Sequence, residues 1–135
     1  MTATAVKLKI DLESVLRASR STERQAIETF ALLNLGFVES LRNGAIGAGD
    51  SVAHFYNAAN CLYVRRNIKN AVCDEIMSRG VQLPDLFDVL PPSHARREFS
   101  SELDAMGKLC LKLLRTIQRK PTNGSTRSRP RRRAG

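Results

Sequence analysis

Histidine and cysteine are the side chains of this chain best suited to nucleophilic or metal chemistry, but their spacing favours neither. His54 and Cys61 are seven residues apart, which places them on similar sides of a helix but about 10 Å apart along its axis. That separation is too long for a hydrogen bond and poor for a shared metal ion. His94 is expected in an exposed first turn. Because no C-x2-C, H-E-x-x-H or H-x3-H spacing occurs, we predict no metal site.

The carboxylates form pairs that lack the partners of a catalytic site. Asp85 and Asp88 are predicted early in a short helix, where they would stabilise the positive end of its dipole. Glu98 and Glu102 are predicted on a solvated face, with no E-x-x-H motif beside them. The glycines of residues 43–49 lack the Lys-Ser/Thr of a phosphate-binding loop. We therefore predict no catalytic residue, no cofactor and a non-enzymatic protein, with a cryptic enzyme as a minor alternative.

Polar side chains concentrate in residues 57–70, where arginine, asparagine and tyrosine occur together. Such side chains can bind phosphates and base edges, which makes Arg65, Arg66 and Lys69 candidate nucleic-acid contacts. The competing interpretation is a solvated helix face whose asparagines bond a break in the helix. We favour the second interpretation, because asparagine side chains readily bond nearby backbone groups.

The net charge of +9 is concentrated at the C-terminus. Residues 120–135 hold six of the 22 basic residues and no acidic one, so residues 1–119 carry 16 basic and 13 acidic side chains and a net charge of only +3. Ala134 is the only apolar side chain of this stretch, so nothing offsets the entropy lost on ordering it. We predict a disordered basic tail that either serves solubility or contacts polyanions such as nucleic acid, without sequence preference because it lacks aromatic residues. Its candidate contacts are Arg127, Arg129, Arg131, Arg132 and Arg133.

The composition places residues 1–119 in a single folded domain. Of the 135 residues, 42% are apolar and 26% are charged, which argues against an intrinsically disordered chain and against a membrane protein. No apolar run approaches the length of a signal peptide or a membrane-spanning helix. The three cysteines are an odd number and widely spaced, as in reduced proteins. We therefore expect a cytoplasmic protein that does not contact a membrane.

The N-terminal third predicts an arm and two helices. Residues 6–12 alternate apolar and polar side chains, which taken alone indicates a short strand that would need a partner. The alternative is a helix that starts near Asp11. We predict a flexible or extended arm over residues 1–10, followed by a short helix over 12–19. A strong helix follows over 21–43. Thr22 and Gln25 have the spacing of a capping box, and Asn43-Gly44 is a stop signal. Gly36, inside this helix, is a candidate for a close helix crossing.

Residues 50–80 permit two arrangements. Asp50-Ser51 predicts a helix start, and the apolar stripe that follows changes sides around residues 61–67. The helix either breaks near residues 67–70 or continues over 51–79 and packs its two ends against different neighbours. The continuous helix would suggest a homodimer, because a small monomer rarely covers both faces of a helix. In either case Gly80 is expected to end the segment.

Residues 81–92 predict a short helix between Pro84 and the pair Pro91-Pro92. Pro84 suits a first turn, and Pro91-Pro92 is expected to stop the helix. Its apolar face is a candidate docking surface for a partner protein, although we favour the interpretation that this helix fills the core between two longer ones. That face consists of Leu83, Leu86, Phe87 and Leu90.

The last helix has the clearest pattern. Ser93 is predicted to cap it, and apolar residues then recur at steps of four and three, which is a heptad seam. These residues are Phe99, Leu103, Met106, Cys110, Leu113 and Ile117. The whole pattern predicts an all-α bundle of four or five helices. We expect it to act as a protein–protein interaction or regulatory module, as a homodimer or with another protein, with nucleic-acid binding as the main alternative.

Overall fold

The fold is all-helical in the part of the chain that the computed structural model describes, residues 9–18 and 22–119. These residues form six α-helices and one π-helical turn and contain no strand, so the all-α prediction is confirmed, with one helix more than expected. The predicted basic tail and most of the predicted arm lie outside the described residues. The elements are α1 (Leu12–Ala18), α2 (Glu23–Arg42), α3 (Ala48–His54), α4 (Ala58–Tyr63), the π turn (Val64–Ile68), α5 (Ala71–Val89) and α6 (Pro92–Arg119).

The frame of the bundle is the antiparallel pair of long helices α2 and α6. Arg24, in the first turn of α2, donates to the carbonyl oxygen of Ile117 at 2.6 Å, and Arg42, in its last turn, pairs with Asp104 at 2.9 Å. The heptad predicted for the last helix is confirmed: Phe99 is partly buried and the other five positions are buried. This seam packs against a buried face of α2 that contains Phe30, Ala31, Val38 and Leu41.

The caps predicted for α2 are confirmed. The Thr22 hydroxyl accepts the backbone N–H of Gln25, and the Gln25 side chain accepts the N–H of Thr22, which completes the capping box. Gly44 has a φ of +79°, the left-handed conformation expected after a helix. The close crossing predicted at Gly36 is wrong, because a Cβ there would have no neighbour within 4 Å.

The region between α2 and α5 is divided into short pieces. Helix α3 starts after Gly47, so the start predicted at Asp50-Ser51 is wrong; Ser51 is buried, and its hydroxyl donates to the carbonyl oxygen of Ala48. The continuous helix over 51–79 is also wrong. The predicted break near residues 67–70 is confirmed at Lys69, whose φ is +54°. A second break over residues 55–57 was not predicted.

Helix α5 runs through two residues that were predicted to interrupt it. Gly80 does not end the helix, and Pro84 lies inside α5 instead of starting a new one. Close packing requires glycine at position 80, because a Cβ there would lie within 2.6 Å of ring carbons of Tyr56. Proline removes one backbone hydrogen bond from the helix, and Leu83, fully buried beside it, holds this turn in the core. Asp85 and Asp88 therefore lie near the C-terminal end of α5, and their predicted place early in a helix is wrong.

Helix α6 begins at Pro92, one residue before the predicted cap Ser93. Proline is well suited to the first helical position, since its missing N–H would have no partner there. Arg79 joins α5 to α6 by donating to both carboxylate oxygens of Glu102, at 2.9 and 3.0 Å. None of the helices in residues 9–18 and 22–119 has the length and apolar content to cross a membrane.

Candidate protein interaction surface

Asn60 attaches the N-terminal segment to the centre of the bundle. Its side-chain amide donates to the carbonyl oxygens of Ile10 at 2.7 Å and Phe55 at 2.9 Å, and its Oδ1 accepts the N–H of Leu12 at 3.0 Å. The N–H of Ile10 also donates to the carbonyl oxygen of His54 at 2.8 Å. Because both backbone groups of Ile10 are bonded, the position of the adjoining residue Lys9 on the surface is fixed.

Tyr56 sets the spacing between the break after α3 and helix α5. Its ring is fully buried, stands edge-on to Phe55 and Phe37, and covers Gly80 of α5. Its hydroxyl donates to Oδ1 of Asn34 in α2 at 2.8 Å. The same residue therefore contacts α2, the turn after α3, and α5, which fixes the groove that opens between α3, α4 and α5.

This groove has a volume of about 670 Å³ and is lined mainly by apolar side chains. Lys9 and Arg65 are exposed and supply two positive charges to its lining, which contains no carboxylate. Val81 of α5 is 40% exposed here. We call this surface the α3–α5 groove; its lining is Lys9, Val52, Ala53, Tyr56, Asn57, Ala58, Cys61, Arg65 and Val81.

The thiol in the groove is held in its neutral form. Burial raises the pKa of Cys61, and the nearby Asp74 raises it further, while Arg65 opposes them by a smaller amount than burial. Burial also raises the pKa values of Cys73 and Cys110 to about 12. All three cysteines are free. Since the thiolate is the nucleophilic form of cysteine, the groove presents Cys61 as a small apolar surface.

The predicted docking residues do not form one exposed face. Leu83 is fully buried, while Leu86 and Leu90 are partly buried. Phe87 is 45% exposed, and its ring stands edge-on to Phe99 with 5.2 Å between the ring centroids. Leu83 therefore belongs to the core, and Phe87 is the most exposed of the four.

The predicted basic cluster is divided between two recesses. Arg65 lines the α3–α5 groove, whereas Arg66 and Lys69 line a second recess of about 530 Å³ together with Tyr63 and Glu23. All three cationic side chains are exposed, and none has an ion-pair partner among the described carboxylates. The candidate tail contacts, Arg127 to Arg133, lie outside the described residues.

The asparagines around this cluster hydrogen-bond backbone groups beside the helix breaks, as the favoured interpretation predicted. Oδ1 of Asn70 accepts the N–H groups of Val72 and Cys73 at the start of α5. Asn57 caps α4 in the same way, through the N–H of Asn60. The amide of Asn67 donates to the carbonyl oxygen of Tyr63.

The residues with catalytic potential stay apart. His94 lies 3.9 Å from Glu98 on the exposed first turns of α6, and the backbone oxygen of His54 is used to hold Ile10. Within residues 9–18 and 22–119, no three histidine, cysteine, aspartate or glutamate side chains are grouped so that they could hold a metal ion.

The groove was not predicted from the sequence because its lining comes from separate segments of the chain. Lys9 was assigned to an arm, Val52 to the apolar face of a helix, and Val81 to the segment of residues 81–92 that was predicted to carry a separate short helix. The signal that could have located it is the adjacent pair Tyr56-Asn57, since an asparagine within an apolar pattern is a common helix start. Comparison of this chain with family models, with curated proteins and with solved structures finds no match in any of the three.

Proposed function

We propose that this protein is a non-enzymatic, cytoplasmic module for protein–protein interaction, and that the α3–α5 groove is the surface at which another polypeptide docks. The observation that carries the proposal is the composition of the groove. A mainly apolar, partly exposed lining with Lys9 and Arg65 as its only charged residues can bury the apolar side chains of a partner and pair with its acidic ones.

The thiols support the same proposal. A thiol that burial keeps protonated is a poor nucleophile, so the chemistry of Cys61 favours a packing role in the groove over a catalytic one. Three free cysteines, two of them buried, suit a reducing compartment such as the cytoplasm.

The test is site-specific crosslinking in the cells that produce the protein. A photoreactive amino acid replaces Val81 in the groove or, as a control, Ser101, which is exposed on α6. We expect a covalent protein adduct at position 81, absent at position 101 and abolished by Lys9→Glu with Arg65→Glu. Equal labelling at both positions, or labelling that persists after the charge reversal, would contradict the proposal.

A second function is favoured by one further observation. The side chains of Arg65, Arg66 and Lys69 are exposed without ion-pair partners among the described carboxylates, so their charges are available to a polyanion. We propose that they bind nucleic-acid phosphates together with the tail arginines. Affinity for random-sequence RNA should then fall steeply between 50 and 200 mM salt, and Arg66→Glu with Lys69→Glu should weaken it. An affinity that neither change alters would refute this second function.

A further inference from the structure

The exposed face of helix α5 continues the α3–α5 groove and carries charge of the opposite sign. Val81, Asp85, Asp88 and Val89 are all exposed. The last three follow Val81 by four, seven and eight residues, which places all four side chains within an arc of about 100° on one side of the helix. Val81 also lines the groove, so the cationic groove and the acidic end of α5 form one continuous surface.

The acidic end of this face lacks a partner within the described chain. Asp88 lies in the last turn of α5, which contains no basic residue, and neither Asp85 nor Asp88 has an ion pair among the described residues. Carboxylates at the C-terminal end of a helix are repelled by its dipole. A cation brought to this point by another molecule would relieve that repulsion.

The apolar side chains of the face are also exposed. Val89 is 77% exposed and Val81 is 40% exposed, although both are apolar. They lie about 12 Å apart along α5, as eight residues of helix require. The face therefore presents two apolar contacts with two carboxylates between and beside them.

We infer that the polypeptide that docks in the α3–α5 groove is a second copy of this chain, in a two-fold symmetric dimer that brings Asp85 and Asp88 of each copy to Lys9 and Arg65 of the other. This inference rests on the proposed function and names its partner. Two antiparallel α5 helices that cross near Val81 place the acidic end of each over the cationic groove of the other. A surface whose two halves complement each other is what an isologous interface requires.

Charge complementarity is the reason for choosing a second copy over another protein. A different partner that occupied the cationic groove alone would leave Asp85 and Asp88 unpaired beside it. A second copy pairs both halves at once and covers the exposed part of Val81 and Val89. Charged groups at such a rim decide which partner binds and in what orientation.

The test is reciprocal charge reversal, read by light scattering after size-exclusion chromatography. The full chain should elute with a mass of about 30 kDa, twice its 15.0 kDa. The variants Asp85→Lys/Asp88→Lys and Lys9→Glu/Arg65→Glu should each weaken self-association by about tenfold or more. An equimolar mixture of the two variants should recover the dimer, because every contact across that heterodimer again joins opposite charges.

Two controls make the outcome decisive. Lys108→Glu/Lys112→Glu changes the net charge as Lys9→Glu/Arg65→Glu does, at exposed positions of α6, and should leave the dimer intact. Circular dichroism should show that every variant keeps its helical content. A monomeric wild-type chain, or a dimer that survives both reversals, would overturn the inference. If the chain is monomeric while a crosslinker at position 81 still captures a different protein, the inference fails and the proposed function stands. If neither association is seen, both fail.

Discussion

The phenol of Tyr56 donates a hydrogen bond to Oδ1 of Asn34, with 2.8 Å between the two oxygen atoms, at the centre of the bundle. Both side chains have no exposed surface. The amide of Asn34 donates in turn to the carbonyl oxygen of Phe30 at 2.9 Å. The two polar side chains therefore satisfy each other's hydrogen-bonding groups inside an apolar core. Removal of either one leaves the other buried without this hydrogen-bond partner.

We expect Tyr56→Phe to lower the free energy of unfolding by about 1–3 kcal/mol, because Oδ1 of Asn34 would stay buried without a donor. The measurement is urea unfolding. Asn34→Leu should cost a similar amount, but the double variant should cost less than the sum, since neither partner is then left unsatisfied. Strictly additive losses would show that the two groups do not depend on each other.

Gly80→Ala should be strongly destabilising, by about 2 kcal/mol or more, because the added methyl group would overlap the buried Tyr56 ring and force it out of place. Thermal unfolding measures the effect. The matched control is Gly36→Ala in α2, where a Cβ meets nothing within 4 Å and the better helix former should stabilise the protein by about 0.5–1 kcal/mol. Equal effects at the two glycines would contradict the packing described for Gly80.

Asn60→Ala should release the N-terminal segment and cost about 3 kcal/mol, since three backbone groups lose a buried partner. Hydrogen exchange at the amides of Ile10 and Leu12 should rise together with this loss. Asn67→Ala is the control. The side chain of Asn67 makes one hydrogen bond, to the Tyr63 carbonyl oxygen, and this bond is exposed, so the loss of unfolding free energy should stay below about 1 kcal/mol. Unchanged exchange at Ile10 would show that Asn60 does not hold this segment.

The buried thiols predict a loss of stability in alkaline solution. Folded Cys73 and Cys110 keep their protons up to a pKa of about 12, whereas an unfolded cysteine loses its proton near pH 9.0. Between those values the unfolded state binds fewer protons, so the free energy of unfolding must fall as pH rises, by up to about 1.4 kcal/mol per pH unit for each thiol. Burial also raises the pKa of Tyr56 and adds to the loss above pH 10.

This pH dependence can be measured by urea unfolding between pH 8 and 11. Cys73→Ala lowers stability at every pH, but it should also flatten the dependence by removing one of the titrating groups. A dependence equally steep in Cys73→Ala and in the wild type would assign the effect to other residues.

The two ends of α2 and the long apolar seam of α6 could be predicted from the sequence because they follow local rules. The capping box at Thr22, the left-handed Gly44 and the heptad of α6 each depend on residues close in the chain. Apolar residues that recur at steps of three and four can be recognised in one helix without knowing which helix it packs against.

The errors arose where tertiary packing decides the local structure. By propensity, Gly80 favours a helix end and Pro84 a helix start, but the Tyr56 ring needs the space beside Gly80, and the burial of Leu83 keeps the helix intact around Pro84. Both facts depend on residues more than 20 positions away or on other helices, and a local pattern does not contain them.

The candidate site was predictable only in part. Arg65 was identified from its polar surroundings. That it lines a different recess from Arg66 and Lys69 depends on the π turn and on the left-handed conformation of Lys69. Lys9 joins Arg65 only because Asn60 holds Ile10, a contact between residues 50 positions apart.

The pairing of α2 with α6 sets the order in which the protein can fold during synthesis. Helix α2 is made early, but the residues that cover its apolar face, up to Ile117, are among the last of the described chain. At about 5–20 residues per second, the ribosome leaves Phe30, Val38 and Leu41 uncovered for roughly 4–15 seconds. A nascent chain that stops before α6 therefore leaves the apolar face of α2 in contact with water, and the core can be completed only after α6 has been synthesised.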